Sequence, residues 1–483
     1  MGGASGTLTS YVGGGWRRGT TESRDINPAA PSEAVATVSL ADAALAADAV
    51  LAAASALPAW RAVGAVARGE LLRAAGEILD QRAAQIGRDL TREEGKTLAE
   101  AVREVRLSAN IFRYYAGQAL DPHGETYPSR QAATLLFTRR EPVGVVSVIT
   151  PWNFPICIPA WKIAPALAFG NTVVWKPADL VPLTAVHLTQ ALIDAGLPNG
   201  VLNLVLGKGS QVGEVLVGHA EVDAISFTGS NPVGRRIQAI ASTAGKRLQL
   251  ELGGKNPAIV LADADLQRAA REVANGAFAG TGQKCTATSR VIVERLVAGH
   301  LVDALKAESD AWRPGDPMAA GTGMGPVASS EQLLAVLGYL QCGRDAGARV
   351  VTGGGRAGGD LAEGWFVEPT VLLDVDPSHP VAREEIFGPV AVVLPVDSYD
   401  QAVALANDTP YGLSASLFTR DLAQALRFTE DSRSGIVKVN QSTAGVELHV
   451  PFGGVKGSGF GHREQGKAAR EFFTESKTVY LSV

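Results

Sequence analysis

The sequence predicts an α/β protein with more than one core, and three observations carry that expectation. Short runs of Val, Ile and Leu alternate with amphipathic helical stretches over most of the chain, and Gly or Pro punctuates nearly every junction. The length, 483 residues of which 46% are hydrophobic and 19% charged, exceeds what one ordinary core organises, so two or three domains are expected. A formal net charge of -5 without clustered Lys and Arg excludes a nucleic-acid partner or an anionic membrane surface and favours small-molecule chemistry.

Taken in order, the opening MGGASGTLTSYVGGGWRRGT lacks a basic start followed by an apolar core, so it does not read as a secretory signal. The apolar run from Val35 to Leu57 is interrupted by Asp42 and Asp48, which a membrane span would not tolerate cheaply. Up to about residue 120 the pattern is mostly amphipathic helix. RGELLRAAGEILDQRAAQIGRDLTREEG, with Leu and Ile at helical spacing, is read as a packing layer. From Val143 to Leu261 the runs GVVSVIT, NTVVWKPA, GVLNLVLG, VDAISFTGS, KRLQLELGG and PAIVLA read as buried parallel strands of a doubly wound, nucleotide-binding sheet. From Leu266 to Asn440 a second α/β unit begins, with LQRAAREVANGAFAG as helix and RVIVERL as strand. Two segments look extended and stand outside both units, Pro122 to Arg140 and the terminal SKTVYLSV, an arrangement that invites pairing with another subunit. GGGRAGG, with no helix directly after it, reads as a surface turn. Cys157, Cys285 and Cys342 are too scattered for a disulfide framework or a metal site, which points to the reducing cytoplasm.

Four segments hold residues suited to chemistry. Cys285 lies in GTGQKCTATSR, whose Gly and Thr residues leave backbone N–H groups near the sulfur; alone, this is more often the setting of a small buried thiol. TPWNFP crowds the Asn153 amide between aromatic neighbours, LELGGKNP places Glu251 at a strand end before a Gly pair, and EEIFGPV carries Glu385 and Phe387. In FTGSNPVG, Ser230 and the amides from Gly229 to Gly234 open a helix, where backbone donors suit a pyrophosphate. GKGSQVG, from Gly207 to Gly213, departs from the GxGxxG spacing.

In this combination and order the segments resemble the aldehyde dehydrogenase superfamily, from about Ile26 to Tyr480. The resemblance implies an aldehyde dehydrogenase-like fold, with a Rossmann-type NAD(P)-binding domain (1–120 and 141–253), an α/β catalytic domain (254–440) and oligomerisation segments (121–140 and 468–483) of a homodimer or homotetramer. It implies Cys285 as nucleophile, the Asn153 amide and Cys285 N–H as oxyanion donors, and Glu251 as the base that hydrolyses a cysteine thioester. Lys162 and Glu464 stand at positions of a proton path, although a helix residue and a helix-start carboxylate explain them equally well. On the cofactor side it implies Ile149, Pro151, Trp152, Lys176, Asp179, Gly209, Gly213, Thr228, Gly229, Ser230, Val233, Gly234, Leu252, Gly253, Glu385 and Phe387. Asp179 stands where NAD-preferring relatives carry Glu, so NAD is expected, with NADP tolerated; no metal is expected.

Within the superfamily, words such as TREEGKTLAEA and ELHVPFGGVKGSGFGHREQGKAAREFFTESKTVY are most similar to α-ketoglutarate semialdehyde (2,5-dioxopentanoate) dehydrogenases. Succinic or glutaric semialdehyde, or a broad aldehyde range, is the alternative. Succinic semialdehyde dehydrogenases place an Arg where this chain has Ala279, which counts against that substrate. For a carboxylated substrate the candidate contacts are Lys284, Thr286, Arg113 and His449, with Phe154 and Phe452 beside them. Acyl transfer to coenzyme A is disfavoured by Glu251, and a non-catalytic binding protein by the intact set of site residues.

Overall fold

The computed structural model describes residues 6–121 and 123–482. Residues 1–5, Pro122 and Val483, which belong to segments read above as cofactor-binding or extended, lie outside the described residues. The described chain is α/β, as its patterning predicts. One sheet has eight strands, in the order Gly459–Gly461, Arg247–Glu251, Ala224–Thr228, Val145–Ile149, Thr172–Lys176, Leu202–Leu204, Ser10–Val12, Gly15–Arg17. Its five central strands are parallel, while the last strands at both edges run antiparallel. From Val145–Ile149 the chain first builds outward through Thr172–Lys176 and Leu202–Leu204, then returns to the other side with Ala224–Thr228. This reversal makes a switch point, where the carboxyl ends of the strands open a crevice for ligands.

A second sheet has seven strands, and five of its six pairings are parallel. Asn256–Val260 lies inside it, between Thr288–Glu294 and Ser414–Phe418. PAIVLA therefore belongs to the second unit and not, as its position in the alternation suggested, to the first. The physical break is the pair Gly253–Gly254: a Cβ on Gly254 would meet the Cys285 carbonyl oxygen at 2.7 Å, so the chain passes between the sheets by close backbone contact.

The N-terminal region is not as helical as its pattern implied. Strands Thr7–Leu8, Thr21–Ile26 and Ala34–Leu40 form a separate sheet, and Ser10–Val12 with Gly15–Arg17 extend the eight-stranded one. The apolar run through Val35–Leu57 is split by Asp42, whose carboxylate accepts from Leu45 N at 2.9 Å and starts the helix Ala43–Ala62. That helix is long and apolar enough to cross a membrane, but its stripe of Leu45, Ala46, Ala49, Val50 and Ala53 is buried in the core of the first sheet. The long amphipathic stretch after it breaks at Arg82 into Ala65–Gln81 and Ala83–Glu94, and Gly95 ends it at φ 97°. Thr97 and Glu100 then form a capping box for the helix Leu98–Gln118.

Thr474–Ser482 pairs antiparallel along its length with Thr134–Pro142, and Thr126–Tyr127 completes a three-stranded sheet. The strand begins at Thr474, two residues ahead of SKTVYLSV and inside the 468–483 segment. Ahead of it Ala468–Phe473 is a helix whose Ala469, Phe472 and Phe473 pack in the main core, because apolar side chains at this spacing are buried best on one helical face.

Candidate active site

Three chain segments meet where the two sheets face each other. Asn153 follows the strand Val145–Ile149, Glu251 ends the strand Arg247–Glu251, and Cys285 follows a left-handed turn in which Gly280, Thr281 and Gly282 have φ of 60°, 55° and 67°. Two of these three positions are Gly, for which that conformation is free of strain. A Cβ on Gly282 would also meet the Gly388 carbonyl oxygen at 2.2 Å, so the turn before Cys285 is pressed against the Gly388 backbone of its own unit. All three residues line one cavity of about 360 Å³, walled on its apolar side by Leu107, Phe154, Ile158, Trp161 and Phe452.

Asn153 is held at both ends. Its Nδ2 donates to the Gln283 carbonyl at 2.9 Å, leaving the second N–H of the amide available, and its own carbonyl accepts from Lys96 Nζ at 2.7 Å. Lys96 is buried, donates also to Glu104 Oε2 at 2.6 Å, and stands 4.5 Å from the centre of the Phe154 ring. Glu104 Oε1 accepts from the backbone of Ile156 and Cys157, tying down the start of the helix Cys157–Ala168. Glu100, besides capping its own helix, accepts from Gly280 N at 2.8 Å and so fastens the turn before Cys285 to the same helix. The Cys285 carbonyl accepts from Asn256 Nδ2 at 2.8 Å, and the Thr286 N–H donates to the sulfur. Burial pushes the Cys285 thiol up to about 12, with the charges of Glu385, Glu251 and Glu464 adding to it and the Thr286 N–H opposing.

Glu251 is buried, its Oε2 has no protein partner, and its carboxyl is raised well above the usual range, first by burial and then by Glu464. A carboxyl with its proton affinity raised in this way is a stronger base once ionised, which suits general base work beside a cavity. Behind it Lys162, fully buried, donates to Ser226 Oγ at 3.0 Å and pairs with Glu464 at 2.8 Å, and Ser226 donates to Gln249 Oε1 at 2.8 Å. Lys162 and Glu464 are thus brought together behind Glu251, with Lys162 fully buried and ion-paired.

At the switch point the helices Gly209–Gly218 and Asn231–Thr243 both begin without a side-chain cap, leaving first-turn N–H groups open to an anion. Ser230 is the N-cap position of the second, Gly229 N is taken by the Glu251 carbonyl, and Gly234 is so close to Leu252 that a Cβ would meet Cδ2 at 2.6 Å. Val233 is exposed beside them, and Gly213 has open space around it. Lys176 ends its strand, next to Ile149 in register, and its Nζ binds Asp179 Oδ1 at 2.7 Å, where the Gly209 position approaches the Lys176 side chain. On the facing unit, Glu385 Oε1 accepts from Gly254 N at 3.0 Å, and a Cβ on Gly253 would meet Oε2 at 2.0 Å. Burial raises the Glu385 carboxyl to about 7. Phe387, at φ 57°, sets its ring edge-on to Trp152, just after Pro151, with centres 5.3 Å apart. Thr228 and Leu252 line the catalytic cavity itself, and Thr228 Oγ1 is buried without a protein partner, so the crevice and the cavity adjoin. Uncapped helix starts, a carboxylate at a strand end and a Gly-lined approach to Glu385 fit a dinucleotide.

Of the substrate candidates, Phe154, Lys284, Thr286 and Phe452 line the cavity. Arg113 does not: it pairs with Asp80 at 2.8 Å and Asn110 at 2.9 Å, because it lies roughly 120° round its helix from the cavity-lining Leu107. His449 is exposed and outside the cavity lining; the chain turns outward after Val446, which does line it. Sequence reasoning missed Lys96, Glu104 and Arg103, all on the cavity wall. They sit in charge-rich stretches that resemble solvated helix faces, and only burial distinguishes the first two. Among the described residues no group of three or more His, Cys, Asp or Glu is placed to hold a metal ion.

The sequence profile of the aldehyde dehydrogenase family matches residues 16–479. The chain is 48% identical to the α-ketoglutarate semialdehyde dehydrogenase of Haloferax volcanii, over 98% of both chains. It is 44% identical to the α-ketoglutaric semialdehyde dehydrogenase of Bacillus subtilis, again over 98% of both. The crystal structure of Staphylococcus aureus betaine aldehyde dehydrogenase in complex with NAD+ superposes with a TM-score of 0.95 at 36% identity, covering 98% of this chain and 95% of that one.

Proposed function

The chain belongs to the aldehyde dehydrogenase family, and from that premise we propose that it oxidises α-ketoglutarate semialdehyde to α-ketoglutarate with NAD. The observation that carries the chemistry is the convergence of Cys285, Asn153 and Glu251 on one cavity beside a dinucleotide-shaped crevice. The near-full-length relatives carry the choice of substrate, and the NAD+ complex of the superposed structure supports the cofactor.

Cys285, once deprotonated, adds through sulfur to the aldehyde carbon. The negative charge that develops on the carbonyl oxygen is met by the second Asn153 N–H and the Cys285 N–H, each such donor contributing roughly 3 kcal/mol in a dry site. Bound nicotinamide dinucleotide supplies the two-electron acceptor for the hydrogen leaving that carbon, so that a thioester remains on Cys285. Glu251 takes a proton from water as the oxygen attacks the thioester, the carbon–sulfur bond breaks, and the carboxylate product leaves with the thiol restored. Lys162 and Glu464 offer the proton a buried way out. Glu251 supports hydrolysis over transfer to coenzyme A. The test is turnover of α-ketoglutarate, succinic and glutaric semialdehydes and an aromatic aldehyde with both cofactors and no coenzyme A. Absence of NADH formation from every aldehyde would remove the oxidative reading, while equal turnover of all would remove the substrate assignment.

NAD is preferred over NADP because the Asp179 carboxylate, fixed by Lys176, accepts from a ribose 2'-hydroxyl and repels a 2'-phosphate. A kcat/KM strongly in favour of NADP would sink this. The eight-stranded unit (1–120 and 141–253) carries the cofactor, residues 254–440 carry the nucleophile, and the three-stranded sheet joins copies of the chain into a dimer or tetramer. Tyr127, Leu135, Tyr480 and Leu481 are exposed on that sheet, which supports the last point. Three unpaired thiols suit a cytoplasmic enzyme.

A further inference from the structure

The charges on the wall of the catalytic cavity are matched except in two places. Glu104 and Glu94 face Lys96 at 2.6 and 3.8 Å, and Glu464 faces Lys162 at 2.8 Å. Glu100 gives one carboxylate oxygen to Gly280 N–H and the other to Thr97. Burial raises the Glu251 carboxyl. That leaves two cations without a direct carboxylate contact. Arg103 is exposed, with no hydrogen-bond or carboxylate partner for its side chain among the described residues, and Lys284 Nζ reaches the Asn275 carbonyl at 3.3 Å, a long bond to a neutral acceptor.

Both residues line the cavity that holds Cys285, which is lined also by the apolar Leu107, Phe154, Ile158, Trp161 and Phe452. A wholly apolar aldehyde would leave the half-buried Lys284 ammonium without a direct anionic contact, which costs free energy in a low-dielectric site. A short chain with an aldehyde at one end and a carboxylate at the other matches this wall: carbonyl at the sulfur, methylenes against the aromatic side chains, anion at the cations. Burial lowers the Lys284 ammonium to about 8, with the charge of Glu100 opposing.

We propose that Lys284 and Arg103 together bind the distal carboxylate of a short ω-oxo acid, and so set the preference of this cavity for acidic over neutral aldehydes. The assignment rests on the aldehyde-oxidising reading above and names the side chains that choose its substrate. Arg103 takes the place that Arg113 and His449 were expected to fill.

The experiment measures the ratio of kcat/KM for α-ketoglutarate semialdehyde to that for pentanal, in the wild type and in Lys284→Met, Lys284→Arg and Arg103→Leu. Losing one charge-assisted bond is expected to lower the ratio by roughly 10- to 100-fold in Lys284→Met and in Arg103→Leu, with Lys284→Arg retaining most of it. A second readout needs no cofactor: glutarate slows alkylation of Cys285 by iodoacetamide in the wild type, and the concentration giving half protection rises by a similar factor in the two charge-removing variants. If the wild-type ratio is near one, the acidic-substrate reading fails and takes the subsite with it. If the wild type prefers the acid but both charge-removing variants keep its ratio and its glutarate protection, the subsite assignment alone is overturned.

Discussion

Cys285 is a thiol held at about 12 in the cofactor-free site, so at neutral pH it is almost wholly protonated there. Below that value the thiolate fraction, and with it the rate of alkylation by iodoacetamide, is expected to climb about tenfold per pH unit between pH 7 and 10. A plateau below pH 8 would show that the thiol is activated before the cofactor arrives. Cys285→Ser should lower aldehyde oxidation by roughly 10⁴-fold or more, since removing a nucleophile leaves only binding and oxyanion stabilisation. Glu251→Gln separates the two half-reactions. It should give a burst of about one NADH per site in stopped-flow absorbance, then a steady state slower by roughly 10²- to 10⁴-fold. Without a burst, Glu251 is needed before the thioester forms. At this scale Cys285, Asn153 and Glu251 were legible because each sits in a distinctive short segment. Lys96 was not, since nothing in EEGKT separates a buried ammonium from a solvated one.

Single turns and helices position these residues, and their substitutions act at a distance. Gly253→Ala puts a methyl group where Glu385 Oε2 now lies, at 2.0 Å. It should raise KM for NAD by roughly tenfold or more while leaving KM for the aldehyde within a few fold, because one displaced charge-assisted contact is worth about 1.5–3 kcal/mol. Equal rises in both constants would mean that the whole crossing between the sheets had shifted. Lys96→Met leaves Glu104 and Glu94 buried without a cation, and should destabilise the protein by about 3–5 kcal/mol in urea unfolding. In the fraction that folds, kcat should fall as Asn153 loses its carbonyl anchor. The helix Leu98–Gln118 also explains why the sequence suggests Arg113 rather than Arg103 as a candidate for the cavity. Arg103 and Arg113 both read as charges on one amphipathic helix, but only the face carrying Glu100, Arg103, Glu104 and Leu107 looks into the cavity.

For the whole molecule, the pairing of Thr474–Ser482 with Thr134–Pro142 leaves Leu135, Tyr480 and Leu481 exposed on a narrow sheet. If this sheet joins copies of the chain as proposed, Leu135→Asp combined with Tyr480→Asp should give monomers in light scattering where the wild type gives a dimer or tetramer. An unchanged mass would assign the contact to another surface. The sequence by itself determined the α/β class and the family, and singled out Cys285, Asn153 and Glu251 as candidates for the chemistry, because period-2 and helical patterns and short segments with fixed neighbours are local properties. Only the tertiary structure decided which strands flank Asn256–Val260 in the second sheet, that Lys162, Glu464 and Ser226 form one buried chain behind Glu251, and that Arg103 rather than Arg113 lines the cavity. Those outcomes depend on which distant side chains share a desolvated space, and the strength of a charge or hydrogen bond there is set by burial that no stretch of sequence carries alone.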